Sequence, residues 1–524
     1  MKFGTIDIVI FIVYCLSVVG IGLWVSREKK GVTKDSKDYF LASKALPWWA
    51  VGASLIASNI SAEQFIGMSG SGFAIGMGIA SYEFMAAVTL IIVAAFFLPI
   101  YLHRGIYTMP QFLEQRFDKR VKTIMAIFWL LVFVFVNLTS ILYLGALALN
   151  TMMDIPLMYG IIGLAVFAAA YSIYGGLKAV AWTDVIQVIF LIGGGLVTTY
   201  VAFELLGDGS FTAGVKELAT KAPEKFDMIL DKSNPSYADL PGLSVLIGGL
   251  WVANLYYWGC NQYIIQRALA SKSLDEAQKG LAFAGFLKIL LPLIIVVPGI
   301  ICWTMVQDGM IAPLGKPDEA YPTLLNMIPT GVKGLAFAAL VAAIISSLAS
   351  MMNSISSIFT MDIYKSYINK DASEKGMVTV GRISSVVALI IACAVAPVLS
   401  NLDQAFQFIQ EFTGFVSPGA LAIFLAGFFY KRATANGAIA AAVGTFVFSV
   451  MFKYLLPGIP FMDRMGIVFL LCFALIVLFA LFSKKPVDES KVSYPKGLFR
   501  TSTSFKISSA VIIAILVFIY AIWW

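Results

Sequence analysis

The sequence predicts an all-α integral membrane protein with fourteen transmembrane helices, and three observations carry that expectation. The 524 residues are 60% hydrophobic and only 13% charged, with a mean hydropathy of +0.87. Apolar runs of about 20 residues, the length that crosses a bilayer as a helix, recur along the whole chain. The cations are shared unevenly between alternate connecting segments, as membrane topology requires.

The spans follow in order. The first, 5–25, has its positive charges after the apolar run, so it reads as a span and not as a cleaved leader. The second, 46–70, carries ASNISAEQF at mid-depth; the third, 78–102, opens on SYEFMA. The fourth and fifth are 123–149 and 158–175, and the sixth, 184–205, opens on Asp184. The seventh, 243–262, holds GGLWVANLYYWG, and the eighth, 280–305, holds Lys288 within FAGFLKILLP. The ninth, 334–362, contains AAIISSLASMMNS; the tenth is 379–399; the eleventh, 404–429, contains AFQFIQEF. The last three are 435–455, 464–483 and 507–524. Long connections are expected only at 206–242, 306–333 and 484–506, so the chain reads as a single membrane domain, 1–524.

With the N-terminus outside, the inside loops are 26–45, 103–122, 175–183, 263–279, 363–382, 430–434 and 484–506. They hold 27 of the 37 Lys and Arg residues, and the outside segments hold 9. The remaining cation is Lys288. Both termini are therefore expected outside, and the net charge of +7 is a topology signal, not a nucleic-acid patch. Cys15, Cys260, Cys302, Cys393 and Cys472 all fall within spans without CxxC spacing and read as small core residues. His103 is the sole histidine, which leaves zinc sites and Ser-His or Cys-His catalysis without partners. No enzyme is expected.

Spans two to six and seven to eleven form two sets of five, and an odd count sets them in opposite orientation. Interrupted helices at matching positions of inverted halves point to a transporter's binding site. Polar, irregular backbone survives at membrane depth only where it lines a cavity. The glycosylation pattern Asn59-Ile60-Ser61 is then spurious, because it lies at that depth.

The candidate residues each have a plainer alternative. Lys288 is too deep to snorkel and must face a cavity or a partner; a structural ion pair is the alternative. Glu83 reads as a site carboxylate or an ordinary interfacial acid. Glu63 and Gln64 are adjacent, so one is expected to face the cavity and the other a neighbouring helix. Asn254, Tyr256, Tyr257 and Trp258 join an amide to aromatic faces, which suits a polyhydroxyl solute better than a plain core stripe. Gln410 and Glu411 add polar groups at depth. Ser346 and Ser347, beside Ala343, read either as helix-packing serines or as neutral oxygens for a hard cation.

On these residues the chain resembles the solute:sodium symporter family. LPWWAVGASLIASNISAEQFIGMSGSG, YSIYGGLKAVAWTDVIQV, GGLWVANLYYWG, AAIISSLASMMNS and FIQEFTGFVSPG carry the resemblance over nearly the whole length. It implies a LeuT-type five-plus-five inverted repeat, at 46–205 and 243–429, flanked by an extra N-terminal helix at 5–25 and C-terminal helices at 435–524. It implies a sugar site of Gln64, Glu83, Asn254, Lys288 and Gln410, with Tyr257 stacked on the pyranose as inner gate and Trp258 behind it. Met68, Tyr82 and Phe406 would close the outer side. Sodium, the co-transported ion, would be held by the carbonyls of Ala57, Ile60 and Ala343 and the hydroxyls of Ser346 and Ser347, with Asp184 along its inward exit path. Where the family's galactose carriers have a serine three residues after the glutamate, this chain has Ala86, and the outer loop at 306–333 is shorter.

The expected function is sodium-coupled uptake of a hexose, galactose or glucose, by alternating access across a bacterial inner membrane. The alternative is another small polar solute such as sialic acid, an amino acid or a vitamin. The expected partners are sugar, sodium and the lipid bilayer, with no nucleic acid.

Overall fold

The computed structural model describes residues 4–25, 36–401, 405–483 and 489–524. Parts of the basic connections expected at 26–45 and 484–506, and residue 404 of the eleventh expected span, lie outside the described residues. Within the described residues the regular structure is helical; there is no strand and one isolated bridge, Leu46 to Ser271. Hydrocarbon dictates this, because each backbone N–H and C=O must be satisfied without water.

Ten described helices are long and apolar enough to cross a membrane. A bent pair, Phe406–Thr413 and Ser417–Phe429, turns through 46° and makes up to eleven. The two polar segments at 48–74 and 249–269 are broken helices, as their composition predicts.

The centre of the molecule is the helix Val332–Ile358, continued to Ile368. Its most apolar window is 94% buried, against 22% for the peripheral helix Thr503–Ile522. Small residues make this possible, since lipid offers no hydrophobic drive between helices and close approach must supply the attraction. A Cβ on Gly194 would lie 2.7 Å from the Ala339 Cβ, and one on Gly52 would lie 2.6 Å from the Gly280 carbonyl oxygen. Asp7 fastens the first helix, Thr5–Val25, to this centre by accepting the amides of Gly331 and Gly334, each at 2.7 Å. A carboxylate there also meets the positive end of the Val332 helix.

The structure departs from expectation in three places. The fifth and sixth spans follow each other without the expected connecting segment: they are two helices, Leu157–Ala170 and Gly176–Leu206, that meet at a kink where the Gly176 backbone (φ 64°, ψ −163°) is not helical. Asp184 therefore lies about two turns beyond the kink and does not open a span. The long connections at 206–242 and 306–333 contain helices of their own, Phe211–Lys221 and Ala320–Met327. Finally, four cations that the loop count treated as solvated charge are buried: Arg116, Lys122, Arg267 and Lys333. Arg116 donates to the carbonyls of Gly427 and Tyr430, both at 2.9 Å, and Lys122 lies 2.7 Å from Glu114 and 3.5 Å from Asp362.

Candidate solute and ion sites

The first broken helix explains how both sites are built. Trp48–Asn59 ends where Ile60 turns extended (φ −77°, ψ 108°). The chain restarts at once through Ser61-Ala62-Glu63-Gln64, a capping box. The Ser61 hydroxyl accepts the Glu63 amide at 3.0 Å, and the Gln64 side-chain oxygen accepts the Ser61 amide at 2.9 Å and its hydroxyl at 3.0 Å. In an unbroken helix the Ser61 amide would bond to the carbonyl of Ala57. Gln64 takes that donor instead, so the Ala57 carbonyl is released.

Ser347, on the central helix, comes against this break: its hydroxyl donates to the carbonyls of Ser58 at 3.0 Å and Ile60 at 3.3 Å. The Ser346 hydroxyl donates to Asp184 Oδ1 at 2.5 Å. Ala57, Ile60, Ala343, Ser346 and Ser347 are all buried. The Ser347 hydroxyl and the carbonyls of Ser58 and Ile60 are neutral oxygens of the kind that hold a hard monovalent cation. Asp184 sits beside that set in a network the sequence did not disclose. Its Oδ2 accepts the Ser54 hydroxyl at 2.5 Å and lies 4.0 Å from Arg267. Arg267 donates in turn to the Ser54 hydroxyl at 3.2 Å, to the Ser350 hydroxyl and to the Tyr263 carbonyl.

The second broken helix, Gly249–Gly259 followed by Gln262–Leu269, faces the other side of the same region. Tyr101 donates its hydroxyl to the carbonyl of Gly259 at 2.7 Å and so satisfies a group that the break exposes. Tyr256 turns away from the cavity and accepts from Trp129 Nε1 at 3.0 Å. Tyr257 turns in. Its hydroxyl accepts from Asn59 Nδ2 at 2.9 Å and meets the hydroxyl of Tyr263.

Between the two breaks lies a narrow cavity of about 60 Å³. Gln64, Glu83, Asn254, Tyr257, Lys288 and Gln410 all line it, as do Met68, Tyr82, Trp258 and Phe406. Ala86 lines it too. Tyr82 and Phe406 meet edge to face at 5.3 Å and, like Met68, are buried. Tyr257 packs on Trp258 at 5.3 Å.

Lys288 has both of its alternatives at once: its ammonium is paired with Glu83, 5.1 Å from the Trp258 ring centre, and the pair forms part of the cavity wall. A buried pair of this kind is tolerated only when further polar partners complete it. Hydroxyls of a bound solute can supply them. The Asn254 amide donates to its own helix at the Leu250 carbonyl, 3.2 Å, and the Gln64 oxygen is held by Ser61. The Asn254 oxygen and the Gln64 amide group are therefore the ends available to a ligand.

One expectation is corrected: Glu63 and Gln64 do not divide between the cavity and a neighbouring helix, since both line the cavity. Glu63 also accepts from the Ser140 hydroxyl at 3.3 Å. Glu411 does not share the cavity with Gln410; it is bound by Lys453 at 3.1 Å and Arg464 at 2.9 Å. The sequence reading also missed Asn59, Thr413, Ser417 and Met465 as lining residues. Asn59 lay in a stretch already singled out, but its partner is 198 positions away.

A family model, the Sodium:solute symporter family, matches residues 39–444. The sodium/glucose cotransporter of Vibrio parahaemolyticus is 55% identical over 99% of this chain and 98% of its own. The human sodium/myo-inositol cotransporter 2 is 35% identical over 82% of this chain and 67% of its own. Among solved structures, a Na⁺-coupled sialic acid symporter in a substrate-bound, outward-open state superposes with a TM-score of 0.81 at 24% identity, covering 93% of this chain and all of that one. The transporter Mhp1 in a closed conformation follows at 0.56 and 14%, covering 86% of this chain and 98% of that one. These two likenesses establish the fold.

Proposed function

The chain belongs to the sodium:solute symporter family, and from that premise we propose that it imports a hexose, glucose or galactose, through the cavity between the broken helices. It is a transporter and not an enzyme, and sodium travels with its solute. The observation that carries the sugar reading is the convergence of Gln64, Glu83, Asn254, Lys288 and Gln410 with the rings of Tyr257 and Trp258 on one cavity. Such a wall offers both donors and acceptors to hydroxyls and a flat face to the C–H side of a pyranose.

The charge of the cavity favours a neutral polyol over a carboxylate. Its lining acids are Glu63 and Glu83 and its lining cation is Lys288, already paired, so an anionic solute would enter against net negative charge. The names of the Vibrio and human relatives, which specify glucose and myo-inositol, point the same way.

The proposed topology has fourteen spans. They are the ten long helices, the bent pair, the two broken segments and the short apolar helix Leu157–Ala170. Five-plus-five halves at 46–205 and 243–429, with 5–25 and 435–524 flanking, and both termini outside a bacterial inner membrane complete it. The ion site is that of Ala57, Ile60, Ala343, Ser346 and Ser347, with Asp184 on the way inward. Gln64 couples the two sites, because the side chain that offers its amide to the sugar also holds the Ser61 amide away from the Ala57 carbonyl. Sodium orders the break and the break shapes the pocket; linkage makes the effect reciprocal. Gln64→Ala is therefore expected to weaken sodium as well as sugar.

Uptake of a panel of labelled sugars into liposomes, with and without sodium, tests the reading. One charge crossing ~100 mV contributes about 2.3 kcal/mol, and a tenfold sodium gradient adds about 1.4 kcal/mol. Together they support accumulation of roughly a few hundredfold per ion. Uphill uptake that persists after both gradients collapse overturns it.

Two substitutions probe the pocket. Tyr257→Phe keeps the ring but leaves buried Asn59 without its acceptor, at about 1–3 kcal/mol. It should weaken sugar roughly tenfold in calorimetry, while Tyr257→Ala should abolish measurable binding; full activity in the alanine variant would remove Tyr257 from the gate. Ala86→Ser adds a hydroxyl to the cavity wall and should change the glucose-to-galactose ratio with sodium affinity nearly constant. An unaltered ratio would mean that position 86 does not touch the sugar.

A further inference from the structure

Away from the solute cavity, a second recess opens where three spans end together: the N-terminal ends of Lys119–Val132 and Ala435–Leu455 and the C-terminal end of Phe461–Leu481. Its volume is about 450 Å³. Among its described lining residues the cations are Arg116, Arg120, Lys431, Arg432 and Lys491, and the acid is Asp118. These charges are not equally committed. Arg116 is bound to carbonyls, and Arg120 is paired with Asp118 at 2.8 Å and donates to Asn436 Oδ1 at 3.1 Å. Arg432 is exposed at the rim, and the ammonium of Lys491 lies 3.4 Å from the Phe117 carbonyl.

Two further features select the ligand. The first-turn residues Ala435 and Asn436 line the recess, so the positive end of a 21-residue helix adds to the field of the side chains. Beside the charges stand Phe479 and Phe482, 43% and 82% exposed, at the end of an apolar span. A soluble phosphate would use the cations alone. A phospholipid uses both halves, with its headgroup among the cations and its chains along the rings. We propose that this recess binds the phosphate headgroup of an anionic phospholipid at the membrane boundary.

Such a site supplies about 1 kcal/mol per basic side chain and is screened by salt. The test is native mass spectrometry of the purified protein in detergent, titrated with phosphatidylglycerol or with phosphatidylcholine of the same chains. The parent should retain phosphatidylglycerol preferentially. Arg432→Gln with Lys491→Gln should weaken that retention roughly 30-fold. The single Arg432→Gln should weaken it roughly fivefold, which keeps the test open if the double variant folds poorly. Raising the salt should release the lipid. Equal retention of the two lipids, or variants that hold phosphatidylglycerol as the parent does, would overturn the proposal. So would competition in which millimolar inorganic phosphate occupies the recess and phosphatidylglycerol does not.

Discussion

Sodium-stimulated uptake is expected to vanish when Ser346 and Ser347 are both replaced by alanine. Ser347 already reaches the carbonyls of Ser58 and Ile60, so it stands where the broken helix offers its oxygens. Without the two hydroxyls a cation keeps only carbonyls and is under-coordinated. Each lost contact to a charge is worth about 1.5–3 kcal/mol, so sodium affinity should fall on the order of a hundredfold or more. Sugar affinity measured by calorimetry in sodium and in potassium should differ strongly for the parent and hardly at all for the double variant. Uptake by that variant with ordinary sodium dependence would exclude the central helix from the ion site. Ser346→Ala alone carries an extra consequence: it removes one of the hydroxyls that Asp184 Oδ1 and Oδ2 accept, and thereby tests the Arg267 network as well.

Breaking the Glu83–Lys288 pair should produce the second large effect. Both side chains are buried, at 4% and 1% exposure. Removing one member leaves an uncompensated charge at about 3–5 kcal/mol, whereas replacing both with neutral groups of similar size costs much less. Glu83→Ala and Lys288→Ala should each lower the melting temperature in detergent more than Glu83→Gln combined with Lys288→Met. All three proteins should fail to bind sugar, because the pair forms part of the cavity wall. A double variant that binds sugar as the parent does would assign the pair to stability alone. Single variants no less stable than the double would mean that the pair is not coupled.

Much of this architecture was legible in one dimension. Apolar length marks a span, and polar groups at mid-depth mark a break, because hydrocarbon tolerates them only beside a cavity. The turn at Ser61–Gln64 is equally local: the glutamine side chain accepts the serine amide and the serine hydroxyl accepts the Glu63 amide where the helix restarts. The family motifs named the cavity residues, and the fold brings all ten of those assigned to substrate and gate onto one surface.

What composition and spacing could not supply was pairing between distant segments. Asp184 with Ser346 and Arg267, and Asn59 with Tyr257, are joined across 83 to 198 positions, and no helical period links them. Arg267 read as a loop charge because a count of cations has no depth; only the packing of three helices around it shows where its partner lies. The expected division of Glu63 and Gln64 between two faces failed for a related reason. Both side chains line the cavity, whose walls come from several helices at once, while Glu411 is held by Lys453 and Arg464. The sequence by itself determined which segments enter the membrane and where they break, since those depend on transfer of each segment from water. Tertiary structure alone decided which polar groups meet inside, since at depth a polar group must take whichever partner the packed helices bring within reach.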